Sequence, residues 1–237
     1  ISVMHVNNEL GTVQPIAGIA KIARQHGIAM HSDGVQAAGR LPVDLEALGV
    51  DLYSASGHKM HAPKGTGILY IRKHAMEALK LGLAGWTAHV DGFRFLMEGE
   101  GHLRTDRAIL RQPSFVEQGS LSAPGYAALD ASLDLILSLG VQAIFGHVTA
   151  YLDALEPRLL ALGCRSLRAT EAERRSASLS VKLPAGADLP GVARSMNRAG
   201  IAVSTPDGCL RFAPHWPNAL DEVADVAKAL EAALHGV

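Results

Sequence analysis

Over the first 73 residues, short apolar runs alternate with a segment of helical periodicity, and few architectures accept such a pattern. ISVMHV (1–6), IAMHS (28–32), DLYSAS (51–56) and GILYIR (67–72) are compact runs of the kind that form buried strands. Between the first two lies PIAGIAKIARQHG, with apolar residues at 16, 19, 20, 22 and 23. Pro15 suits the first turn of a helix there, and Gly27 the position just past its end. Strand, helix and strand in succession predict an α/β layered architecture, a mainly parallel sheet with flanking helices.

The remainder reads differently. Residues 74 to about 118 are irregular and rich in glycine and aromatic residues, with Trp86, Phe93 and Phe95 spaced through them; so long an aperiodic stretch is usually functional or partly mobile. YAALDASLDLILSLG and VQAIFGHVTAYLDALEPRLLALG read as long helices. ASLSVKLP is a strand, LPGVARSMNRAG a helix ended by Gly200, GCLRFAPH a strand, and NALDEVADVAKALEAALHG a closing helix capped by Asn218. The expected division is a large-domain portion over 1–140 and a small α+β carboxyl-terminal domain over 141–237. ISVMHV reads as a strand already under way at Ile1, so the chain is expected to be a piece of a longer protein.

A formal net charge of -1 without a block of like charge argues against a nucleic-acid surface or an anionic membrane as partner. The most apolar stretch, ALDASLDLILSLGVQAIF, is interrupted by Asp130 and Asp134, which argues against a membrane span. Cys164 and Cys209 stand in no metal-binding or redox spacing, which fits a reducing compartment, and the cytoplasm is the expected location.

In an open α/β sheet, ligands gather outside the carboxyl ends of the strands. Asn7 and Asn8 follow one such end, Asp33 and Gln36 a second, and His58 and Lys59 a third, in SASGHKMHAPKG. Taken alone, each has an ordinary reading: Lys59 a solvated loop lysine, Asp33 a cap, Asn8 and Gln36 loop caps, His31 a packed ring. Taken together they suggest a nucleophilic amine beside a sheet edge. Although His58 and His61 are three apart, Gly57, Pro63 and Gly65 argue against a helix between them, and no cysteine or carboxylate stands nearby as a third ligand. No metal site is expected. The pattern of a nucleotide P-loop is absent as well.

The segments MHVNNELGTVQP, HSDGVQAAGR, DLYSASGHKMHAPKGTGILYIR and CLRFAPHWPN together resemble class V of the pyridoxal 5'-phosphate (PLP) enzymes, the fold-type I group that includes cysteine desulfurases. The resemblance is most specific over residues 1–73. It implies the carboxyl-terminal part of the PLP-transferase large domain followed by a small domain, and an enzyme acting on an amino acid. Lys59 matches the lysine that forms the Schiff base with PLP and shuttles the α-proton, and Asp33 the acid that pairs with the pyridine nitrogen. Gln36 and Asn8 match residues that hydrogen-bond the phenolic oxygen, with Asn8 favoured over Asn7. Ser56 and His58 resemble the pair that binds the phosphate. Gly119 and Ser120 resemble a segment that reaches the phosphate of a neighbouring subunit, which implies a homodimer with a shared active site. Arg211 matches the planar clamp for the substrate α-carboxylate.

The chain also departs from that pattern. The family's phosphate-binding turn at a helix amino terminus, and the ring that stacks on the pyridine, would precede Ile1. Desulfurases place a cysteine on a mobile small-residue loop ahead of the carboxylate-binding arginine, whereas AVSTPDGCLRF is short. Cys209, two positions from Arg211, is expected on the same strand face, lining a pocket without acting as a nucleophile. The resemblance therefore implies a desulfurase-like or carbon–sulfur lyase enzyme, with an epimerase, an aminotransferase or an inactive truncated module as alternatives.

Overall fold

The computed structural model describes residues 1–80, 82–98 and 106–236, without the side chains of Phe95 and Leu96. Phe95, one of the three aromatic markers of the irregular region, thus has its side chain outside the described residues. The chain forms two compact units, Ile1–Val3 with Ile16–Asp33 and Asp44–Ser132, and Met4–Pro15 with Gly34–Val43 and Leu133 onward.

The first unit is built mainly from β1 (Ser2–Met4), α1 (Ile16–Gln25), β2 (His31–Asp33), α2 (Leu45–Leu48), β3 (Leu52–Ser56), β4 (Gly67–Ile71), α3 (Lys73–Ala78), α4 (Arg94–Glu98) and the first part of α5 (Ala123–Leu139). Its sheet has the order β1-β2-β3-β4. Strands β2 and β3 run parallel, with Asp33 opposite Ser54, and β4 returns antiparallel with Gly67 opposite Ser56. Within the mainly parallel sheet expected, this last strand is antiparallel because the turn 57–66 is too short to carry a parallel crossover. Helix α1 buries Ile16, Ala20 and Ala23, an i, i+4, i+7 stripe. Its end is a Schellman cap: Ile28 N donates to the Ala23 carbonyl at 2.9 Å and Gly27 N to that of Arg24 at 3.1 Å, with Gly27 at φ 63°. A second buried cluster joins Ile71, Ala75, Met76, Ala88 and Phe115.

The second unit contains α6 (Val141–Ala161), β5 (Arg165–Ser166), β6 (Leu179–Lys182), α7 (Leu189–Arg198), β7 (Leu210–Phe212) and α8 (Glu222–His235). The three strands form an antiparallel sheet in the order β5-β6-β7. Val148, Leu152, Leu155 and Leu159 of α6 are fully buried on one stripe, each contributing about 1.5–3 kcal/mol of transfer free energy. Residues 4–15 and 34–43 group with this unit, and their bonds go to its strands and their approaches. Val13 N donates to the Arg174 carbonyl, and the Ser180 hydroxyl to that of Glu9.

One helix start differs from the sequence reading. Asp221, not Asn218, occupies the N-cap position of α8. Asn218 instead accepts from His215 N at 3.0 Å and donates to Glu222 at 3.2 Å, closing the turn that leads into the helix.

Candidate functional site

The first unit carries the acid, the amine and the hydroxyl–imidazole pair. Asp33 is the last residue of β2 and exposed. Strand alternation places His31 on the same face, where its ring bonds the Ser2 hydroxyl at 2.8 Å and the Ser54 hydroxyl at 3.1 Å. Three strands are thereby tied together beside Asp33. Burial, and after it the Asp33 charge, raise the Tyr53 phenol above its ordinary range; a negative charge so placed opposes a second one nearby.

At the carboxyl end of β3 the chain makes one 3-10 turn, Gly57–Lys59, where the sequence suggested no helix. The turn lifts His58 out to solvent and leaves Lys59 half-buried. Ser56 Oγ and His58 Nδ1 share a hydrogen bond 2.6 Å long. Gly57 is obligatory by packing: a Cβ there would lie 2.1 Å from Thr66 Oγ1. Its N–H donates to the Thr66 carbonyl at 3.0 Å, and the Thr66 hydroxyl to that of Pro63 at 2.9 Å. Thr66 thus fixes the turn that carries Lys59. Its role is legible only once β3 and β4 are paired.

The second unit brings Asn8, Gln36 and Arg211 together. Gln36 Nε2 donates to Asn8 Oδ1 at 2.6 Å, Arg211 Nη1 donates to the same oxygen at 3.0 Å, and Arg211 Nη1 also reaches the Asn8 carbonyl. Asn7 is committed elsewhere, since its Oδ1 accepts from Glu9 N at 3.0 Å and Leu10 N at 2.7 Å in a turn of its own. Arg211 Nε donates to Ser204 Oγ at 3.0 Å. Ser204 and Arg211 also exchange both backbone hydrogen bonds across the intervening turn, a pairing that no local motif announces. Desolvation lowers the Arg211 guanidinium from its usual value.

Two further expectations concern Cys209 and Ser120. Cys209 stands in extended backbone just before β7, where the 3-10 turn Pro206–Gly208 ends. It is 2% exposed, and its thiol approaches the Asp207 carbonyl at 3.6 Å. It is therefore a packed thiol and does not line an open face beside Arg211. Ser120 is exposed and lines a cavity of about 790 Å³ within the first unit, with Trp86, His89, Phe93 and Glu117 among its walls. Trp86 and Phe93 meet there edge to face at 4.6 Å.

Residues 1–219 match the family model of aminotransferase class V. The cysteine desulfurase IscS of Anaeromyxobacter dehalogenans is 34% identical over 211 residues, covering 88% of this chain and 45% of that protein. The cysteine desulfurase IscS of Dictyoglomus turgidum is 55% identical over 73 residues, 31% of this chain and 18% of that protein. The chain spans about half the length of the curated relative it matches over most of its extent. Among solved structures, the apo cysteine desulfurase from Thermococcus onnurineus shares the fold at a TM-score of 0.86 and 23% identity, over 100% of this chain and 60% of that one. A cystine C-S lyase in complex with its product cysteine persulfide aligns at a TM-score of 0.84 with 25% identity, over 97% of this chain and 60% of that one.

Proposed function

This chain belongs to the aminotransferase class V family, and we propose that it serves a PLP-dependent enzyme acting on an amino acid, of the cysteine desulfurase or carbon–sulfur lyase type. The observation that carries the reading is the end of β3, where a hydrogen-bonded hydroxyl–imidazole pair stands directly before a half-buried lysine on a turn with no room for a side chain at Gly57. Hydroxyl and imidazole donors suit a phosphate, and an amine on a fixed turn suits an aldehyde. These residues fit PLP.

When bound, PLP supplies an electron sink for negative charge at the substrate α-carbon. Lys59 Nζ would hold the cofactor covalently and, once released, take the α-proton. The Asp33 carboxylate would keep the proton on the pyridine nitrogen. Ser56 and His58 would bind the phosphate, and Asn8 and Gln36 the phenolic oxygen. Arg211 would orient the substrate by its α-carboxylate, with the planar fork that such a group accepts. Ser120 would serve the phosphate of a neighbouring subunit in a homodimer. The short turn Ser204–Arg211 and the buried Cys209 thiol favour elimination over transfer of sulfur onto this cysteine.

The test is chemical. Borohydride reduction of the PLP-loaded full-length protein, followed by peptide mass spectrometry, is expected to place the cofactor on Lys59, and Lys59→Ala to abolish the adduct. Attachment to Lys64 or Lys73 would overturn the assignment.

A further inference from the structure

Arg40 is a charged side chain that this mechanism leaves without a task. It is 5% exposed, and its Nη2 donates to the carbonyls of Ala177 and of Pro214, the latter at 3.0 Å. Its Nε, also buried, has no hydrogen-bond partner among the described residues. The β6–β7 register explains the two carbonyls. Leu179 faces Phe212 and Ser180 faces Arg211, so two residues beyond the last pair Ala177 stands opposite Pro214. Arg211 spends its backbone bonds on Ser204, which leaves Phe212, and by alternation Pro214, to pair toward β6. Pro214 has no N–H to give. Arg40 supplies the missing donor.

We propose that Arg40 is a positioning residue for the carboxylate-binding end of the site: it clips the approaches to β6 and β7, holds the strand that presents Arg211, and adds a second positive charge beside it. The inference rests on the reading of Arg211 as the substrate-carboxylate clamp. Among the described residues neither guanidinium has a carboxylate partner, and Arg211 is satisfied by neutral oxygens of Asn8 and Ser204. Arg40 holds the carbonyl of Pro214, three residues along the chain from Arg211, and burial, with the Arg211 charge after it, lowers the Arg40 guanidinium to about 10. Such a pair, left uncompensated by the protein, is offset when an anion binds.

The experiment uses the full-length, PLP-loaded protein with L-cysteine as substrate and propionate as a dead-end carboxylate inhibitor. Arg40→Met is expected to raise both KM and the propionate inhibition constant by about tenfold, the scale of one partly buried unit charge, while kcat stays within about twofold. Arg40→Lys, which keeps the charge, is expected to recover most of the affinity. If Arg40→Met folds poorly, the same change in a Pro214→Ala background restores a backbone donor for Ala177; there the melting temperature should recover while KM and the inhibition constant stay high. Unchanged propionate affinity in a folded Arg40→Met protein would overturn the proposal and leave only a structural clip. Arg211→Lys separates the two readings: if it too leaves propionate affinity untouched, the carboxylate clamp itself has been misassigned.

Discussion

Gly57→Ala tests how firmly the lysine-bearing turn is held. The added Cβ would sit 2.1 Å from Thr66 Oγ1, so one of the two must retreat by about 1 Å to reach an ordinary contact. Thr66 cannot rotate away freely: it is branched at Cβ, and its hydroxyl is held by the Pro63 carbonyl at 2.9 Å. Overpacking of this kind costs about 1–3 kcal/mol, and losing the hydrogen bond from Thr66 to Pro63 a further ~1 kcal/mol. The sum, about 2–4 kcal/mol, should lower the urea midpoint of the full-length protein by roughly 1–2 M at unchanged slope. Thr66→Ala removes the offending oxygen, after which the nearest atoms to the new Cβ are Thr66 Cβ at 3.2 Å and Ala62 Cβ at 3.3 Å, tight but tolerable. The double variant should therefore be more stable than the two single losses predict, by about 1–2 kcal/mol, as expected for side chains in contact. A Gly57→Ala protein within about 0.5 kcal/mol of the parent, or simple additivity in the double variant, would refute the packing argument.

Two further outcomes bear on the chemistry. Asp33→Asn should retain the covalent cofactor but lose at least about a hundredfold in rate, the equivalent of about 2.7 kcal/mol of transition-state stabilisation; a near-normal rate would reduce Asp33 to a structural residue. Cys209→Ser should lower stability by about 1–3 kcal/mol, because a hydroxyl replaces a thiol in a buried place, while turnover of the protein's substrate persists. A persulfide on Cys209, lost together with activity in the serine variant, would instead make this thiol the sulfur acceptor.

The fold was legible wherever one local period governed it. The stripe of Ile16, Ala20 and Ala23 and the glycine beyond it place α1 without any tertiary information. Strand lengths were not so visible. ISVMHV has the composition of a six-residue strand, yet β1 ends at Met4 and Val6 forms a separate bridge with Val13, a pairing made by the turn that follows. Helix α2 escaped notice although its signals are local: Asp44 accepts from Glu46 N and Ala47 N, and Gly49 closes the helix at φ 69°. At four residues it offers no periodicity to read, so only its caps betray it.

The two asparagines show where reading of the site from sequence ends. Asn7 and Asn8 have the same side chain, adjacent positions and the same turn-forming habit, and in the sequence only the motif's alignment with Asp33 favours Asn8. The backbone supplies the physical reason, because the amides of Glu9 and Leu10 claim Asn7 Oδ1 and leave the Asn8 side chain to Gln36, 28 residues away, and Arg211, 203 residues away. The same division runs through the other residues. Lys59, Ser56 and His58 sit on one short segment, so their grouping follows from the chain itself. Arg40, Thr66 and Ser204 act on carbonyls, a Cβ position and a guanidinium set by strand register; their partners exist only after the strands have paired. Chemistry carried by neighbours in sequence can thus be read before folding, whereas the groups that hold it in place become visible only from the register.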